Sequence, residues 1–213
     1  DIRGEIYKKY CNGDLSKTFV NRYFSSVYSG QGESAYMSMI EELNSISQKH
    51  ISIILSAPGY QQTLADFACT LNKDVEKEYW EDVNILSCPE GKYGNIIWKL
   101  FSVKRYTDIL HIIRIKNDEN TISVDIKIRV LYEMVTNGAW DILRSHMYEI
   151  SDILKTISLP KDNTPKSLLL QMEFLIYDNL RHYMNAHEIH LIQEINKEPS
   201  LLMKIYALVF KAD

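Results

Sequence analysis

The run YTDILHIIRIKNDENTISVDIKIRVLYEMVTNGAWDIL, from Tyr106 to Leu143, decides the fold. Its first part sets Ile109, Leu110, Ile112 and Ile113 over one broad face. Its second part repeats Ile126, Ile128, Val130, Leu131, Met134 and Val135 at steps of two, three and four. At that length the pattern is nearer a helix than a strand. Asn117-Asp118-Glu119-Asn120 interrupts the two runs, and Thr121 or Ser123 is placed to cap the second. Asn137-Gly138 ends it, since both residues tolerate the left-handed backbone of a helix C-terminus. The stretch therefore predicts two antiparallel helices with Trp140 opening a third, the repeating unit of a helical stack.

Outward from this hairpin, Gly and Pro fall at borders: eight glycines and five prolines in 213 residues. The spacing predicts helices over 2–10, then one capped by Asp14 that stops at Gly30. Others follow from Ser34, over 60–71 and 75–86, and over 93–103 around Trp98. The short apolar run 51–55, ended by Pro58-Gly59, reads as a helix extension or a strand, with helix preferred. After the hairpin come 140–157, then 166–184 behind the start signal Thr164-Pro165, 186–195, and a last helix from Pro199. The fold class expected is all-α, an irregular, solenoid-like stack of about ten to twelve helices. A compact bundle gives the same pattern. Residues 1–103 read as an N-terminal helical block and 104–213 as a C-terminal one, in one continuous stack. Without a methionine before Asp1, the chain reads as a fragment of something longer.

The bulk chemistry narrows function by exclusion. Net charge is −4, and Lys and Arg are scattered among carboxylates. A nucleic-acid surface calls for clustered cations, so no direct nucleic-acid partner is expected. Cys11, Cys69 and Cys88 are odd in number and unpaired in spacing, which fits reduced thiols better than a disulfide framework. No apolar run approaches the ~18 residues of a membrane-crossing helix, and no membrane contact is expected.

Motifs for chemistry are thin. His187-Glu188-Ile189-His190, with His182 upstream, sets two imidazoles at i and i+3. A zinc hydrolase of the common helical type needs i and i+4 with the glutamate between, and a third ligand. Solvent-facing helix is the ordinary reading of the segment. Cys88 and His111 form a dyad only if the fold brings them together. EGKYGN, residues 90–95, lacks phosphate-loop spacing and a preceding strand. No catalytic, metal or cofactor residues are assigned.

The aromatics say more. Fourteen Tyr, six Phe and three Trp are spread over many helices. In TFVNRYFSSVY, Phe19, Tyr23 and Phe24 share one side, and Val20, Val27 and Tyr28 widen it beyond a single stripe. A helix apolar over so wide an arc is covered on more than one side, either by its own chain or by a partner. Phe19, Tyr23, Phe24, Val27 and Tyr28 are the candidate partner interface, because protein contacts favour Tyr, Phe and Arg.

Around the hairpin, ILHIIRIKNDENTISVDIKIRVLYEMVTNGAW resembles the C-terminal helical domain of the nucleoporin 133 family of nuclear-pore scaffold proteins. The features shared are the Ile109-Leu110 helix, the acidic Asn117–Asn120 turn, the opening Asp125-Ile126-Lys127-Ile128, and the polar turn from Asn137 to Trp140. KIYALVFKA, Lys204 to Ala212, is similar to that family's closing helix. The resemblance covers the second half of the chain. It implies a non-enzymatic scaffold domain without cofactors, located at the nuclear pore complex in the nuclear envelope. Such a domain joins end-to-end with a neighbouring nucleoporin of the Y-shaped complex, the 84-kDa member in yeasts or the 107-kDa member in animals. It would thereby support pore assembly, nucleocytoplasmic transport and mRNA export. Two other readings stand beside it: a helical subunit of a vesicle coat or tether, and a metal-dependent hydrolase using His187 and His190.

Overall fold

The computed structural model describes residues 2–85, 93–116, 122–180, 182 and 189–210. Among these, every regular element is helical: fourteen α-helices and one 3-10 turn. The fold is an all-α stack of helices. Its contacts divide the chain into two compact units, Asp1–Lys92 and Tyr93–Asp213. The helix of residues 93–103, expected in the first block, thus belongs to the second.

In the first unit, α1 (Ile2–Cys11) leads to α2 (Lys17–Gln31) and α3 (Glu33–Asn44). The cap of α2 is Ser16, two residues beyond the expected Asp14; its hydroxyl accepts from the Phe19 N–H at 3.3 Å. A single residue, Gly32, joins α2 to α3. Its φ of 76° would strain a residue bearing Cβ; its N–H donates to the Tyr28 carbonyl and its carbonyl accepts from the Tyr36 N–H.

A 3-10 turn at Gln48–His50 precedes α4 (Ser52–Ser56), and α5 (Gln62–Thr70) and α6 (Lys73–Asp82) complete the unit. The five residues of α4, SIILS, are all buried, among α2, α5 and α6. A helix that short does not hold itself together in water; its neighbours keep it. They also satisfy its polar groups. Ser52 donates to Glu78 Oε2 at 2.7 Å, and the Tyr36 hydroxyl donates to the Ile54 carbonyl at 2.7 Å. Asn72 caps α6 through two backbone N–H groups, those of Asp74 and Val75. The helix stops at Asp82, earlier than expected, because Val83 turns extended with ψ of 132°.

The second unit holds α7 (Tyr93–Ser102), α8 (Tyr106–Ile115), α9 (Val124–Thr136), α10 (Trp140–Ser145), α11 (Met147–Thr156), α12 (Asn163–Leu180), α13 (His190–Lys197) and α14 (Leu201–Val209). The two helices expected from residues 106–136 are α8 and α9, but they do not close on each other as a hairpin: α8 packs mainly on α7 and α11, and α9 mainly on α12 and α10. Ser123 caps α9, accepting from the Ile126 N–H; Thr121 lies outside the described residues. At its other end Gly138 donates to the Val135 carbonyl and Ala139 to that of Met134, the paired closure of a helix on a left-handed residue.

Residues 140–157 break into α10 and α11 instead of forming one helix. The Ile142 carbonyl is approached by the Ser145 hydroxyl at 3.0 Å and His146 Nδ1 at 3.0 Å, as well as by the His146 N–H. Side chains that compete for a backbone carbonyl in this way disrupt the helical ladder, and the chain restarts at Met147. Among the described residues the helices number fourteen, above the ten to twelve expected. The core of the unit lies where α12 packs on α9, and where α8 meets α7 and α11. Next to it Leu170, Ile189, Leu191 and Ile205 form a smaller cluster that seats α13 and α14 on α12.

Candidate interaction surfaces

The α2 residues singled out above separate once the helix is packed. Phe24 is fully buried, with Val20 beside it in the core, so Phe24 offers nothing to a partner. Its ring meets Tyr23 edge-on at 5.1 Å. Val27 and Tyr28 are half-buried, and Tyr28 stacks edge-on against the buried Tyr36. Phe19 remains 49% exposed. Phe19 and Tyr23, four residues apart, border a shallow depression of about 440 Å³ with Ser16, Thr18 and Arg22. The outward part of the expected interface is therefore Phe19 and Tyr23, with Arg22 between them in sequence. Arginine and aromatics on a rigid helix are the residue types that anchor protein contacts. Val20 and Phe24 fix the helix, so little backbone freedom is lost on docking.

The HEIH segment divides at the edge of the described residues: His187 and Glu188 lie outside them. His190 opens α13, and its Nδ1 meets Glu173 Oε1 of α12 at 2.7 Å. The other carboxylate oxygen, Oε2, accepts from the Leu191 N–H at 2.7 Å. Glu173 thus caps α13 from a neighbouring helix, a use of carboxylate at the positive end of a helix dipole. That hydrogen bond, opposed by burial, raises the His190 pKa above its ordinary value. The imidazole is engaged in structure. Among the described residues no group of three His, Cys, Asp or Glu side chains is arranged to hold a metal. His111 is exposed on α8, and Cys88 is outside the described residues.

A second surface was not among the residues read as an interface. Of the large apolar side chains that stand exposed, Leu202, Met203, Tyr206, Leu208 and Phe210 all come from the last helix and its cap. Only Ile205 of α14 is buried; Leu201 and Val209 are partly so. The sequence signal was present: ten residues, Leu201–Phe210, with Lys204 the one charge. A helix apolar all round has a face left to cover.

No protein-family model, curated protein or solved structure matches the chain.

Among the described residues no helix is long and apolar enough to cross a membrane. The resembling hairpin residues are distributed by ordinary helix physics. Asp125 sits in the first turn of α9 and pairs with Arg129 at 3.0 Å, one turn on. Lys127 is buried and Ile128 fully so, while Trp140 is the first residue of α10. These positions explain how α9 starts and packs.

Proposed function

We propose that this chain is a non-enzymatic scaffold domain that works by docking a neighbouring protein on a preformed helical surface. The observation that carries the reading is the Phe19–Arg22–Tyr23 face of α2, which leaves an aromatic anchor 49% exposed on a helix seated on the core through Val20 and Phe24. A stable contact buries about 800 Å² per partner; a depression of this size holds one or two anchoring side chains of such a contact. Aromatic anchors at the centre of an interface each contribute about 2 kcal/mol or more.

The finer reading rests on the resemblance of residues 109–140 to the nucleoporin 133 family. On it, the partner is the adjoining Y-complex scaffold nucleoporin, the 84-kDa member in yeasts and the 107-kDa member in animals. The site of action is the nuclear pore, where a rigid end-to-end joint supports assembly, transport and mRNA export. Capture from nuclear-envelope extract, with the bound proteins identified by mass spectrometry, tests it. Recovery of the adjoining scaffold nucleoporin supports the reading. Recovery of coat or tether subunits in its place would move the chain to that class of helical scaffold.

A further inference from the structure

We propose that α14 pairs with α14 of a second copy of this chain, as a two-fold antiparallel contact centred on Tyr206. The proposal stands on a different surface from α2 and does not depend on the function proposed above. Leu202 and Tyr206 on the helix and Phe210 at its C-cap follow one another at steps of four, and Met203 lies three residues before Tyr206. Spacing of this kind puts all four on one stripe. They are 41%, 52%, 46% and 69% exposed, on the flank of α14 beside Ile205.

The stripe is ordered. Tyr206 and Phe210 lie 4.7 Å apart, and both rings meet Phe174 of α12 edge-on at 6.3 and 6.0 Å. A firm three-ring platform loses little freedom when covered.

Three features point to a second copy as the occupant. The first is polarity. Hetero-interfaces are about as polar as the general surface, whereas homodimer contacts are more apolar. This stripe carries no charge, and Lys204 on its flank is held within the chain by Glu198 at 2.6 Å. Self-pairing therefore brings no unmatched charges together.

The second is shape. Tyr206 is midway between Leu202 and Phe210, so a two-fold axis there sets the smaller Leu202 of one copy against the larger Phe210 of the other. A self-complementary patch of this sort is what a two-fold contact requires.

The third is area. With large side chains burying 150–250 Å² each and these about half exposed, one stripe offers on the order of 400 Å². Two stripes give about 800 Å² of apolar surface, which at a ~65% apolar share makes roughly 1,200 Å² in total, the lower end for a specific contact. The expected result is a reversible dimer.

Sedimentation velocity of the 213-residue chain from about 1 to about 100 µM tests this, over the range where dimers of that size dissociate. A shift towards twice the 24.8 kDa chain mass is expected. Met203→Glu and Tyr206→Asp should each weaken the dimer at least about tenfold, as loss of a central anchor does, with helicity by circular dichroism unchanged. Phe19→Asp should leave it intact. If either stripe variant fails to fold, Tyr206→Cys serves instead. Mild oxidation should then join position 206 of two copies, identified by peptide mapping. A chain that stays monomeric at the highest concentration overturns the proposal. So does a dimer indifferent to folded stripe variants, or one that gives no 206–206 link.

Discussion

Glu173, wholly buried on α12, holds the imidazole of His190 at 2.7 Å and the amide of Leu191 with its second oxygen. A buried carboxylate costs several kcal/mol unless its oxygens are used; here both are used, and both bonds go to the first turn of α13. The smaller apolar cluster of Leu170, Ile189, Leu191 and Ile205 closes around this joint. The seating of α13 thus rests on Glu173 together with the Lys166–Glu194 pair at 2.6 Å, while α14 also packs directly on α12.

Glu173→Ala should destabilise the second unit by about 3 kcal/mol, because it strands the His190 ring and the Leu191 amide. Glu173→Gln keeps an acceptor and should lose about half as much. Hydrogen exchange of the α13 and α14 amides is the readout: both variants should exchange faster there, and amides of α2–α6 should be unaffected.

The same pair sets a pH dependence. Its hydrogen bond to Glu173 is the largest cause raising His190 above its ordinary 6.5, burial opposes it, and the Glu173 charge, the Ile157 carbonyl and Glu194 add to it. A raised folded-state pKa gives stability that is complete below the unfolded value and lost as pH rises through the folded one. Protection of α13 should therefore be complete below the ordinary 6.5 and fall as pH rises above it through the raised folded value. His190→Asn should flatten that profile; an unaltered slope in the variant would show that another group sets it.

Much of this architecture was written in spacing. The α8 and α9 helices, the Ser123 cap and the Asn137-Gly138 stop follow from local chemistry, whereas the pairing of α8 with α9 as a hairpin did not follow, because α9 packs on α12, far along the chain. Where the reading erred, a longer-range contact or a competing side chain decided. Asp14 and Ser16 are both good caps, but the Asp14 N–H closes the end of α1 on the Lys9 carbonyl at 2.9 Å, and the cap of α2 falls to Ser16. Ser145 and His146 broke an apolar-periodic run by reaching for one carbonyl. The apolar arc of α2 could not reveal which of Phe19, Tyr23 and Phe24 faced inward, since that depends on where α4 lies. Glu173 was invisible among the leucines of α12, its partner being seventeen residues away.

Tyr36→Phe should cost the first unit about 1–2 kcal/mol while leaving its volume almost unchanged. The hydroxyl is buried and donates to the Ile54 carbonyl of α4, which would be left without that donor. Burial raises the pKa of the phenol well above its ordinary value, so the loss, read by urea denaturation, should be the same at pH 7 and pH 9.

Asn72→Ala should cost about 1 kcal/mol, since the side chain accepts from two amides that α6 leaves free at its start. Asn72→Asp should restore most of it, for a carboxylate caps as well and suits the helix dipole. Thermal unfolding of the two variants against the parent chain makes the comparison.

The central claim is that an outward aromatic face of α2 recruits a neighbour. Calorimetric titration of purified adjoining scaffold nucleoporin into the chain, with Phe19→Ala and Tyr23→Ala in parallel, tests it most directly. Saturable binding of the parent chain is expected, with a loss of at least about tenfold in affinity for each folded variant. No binding by the parent chain, or affinity unchanged in both variants, would contradict it.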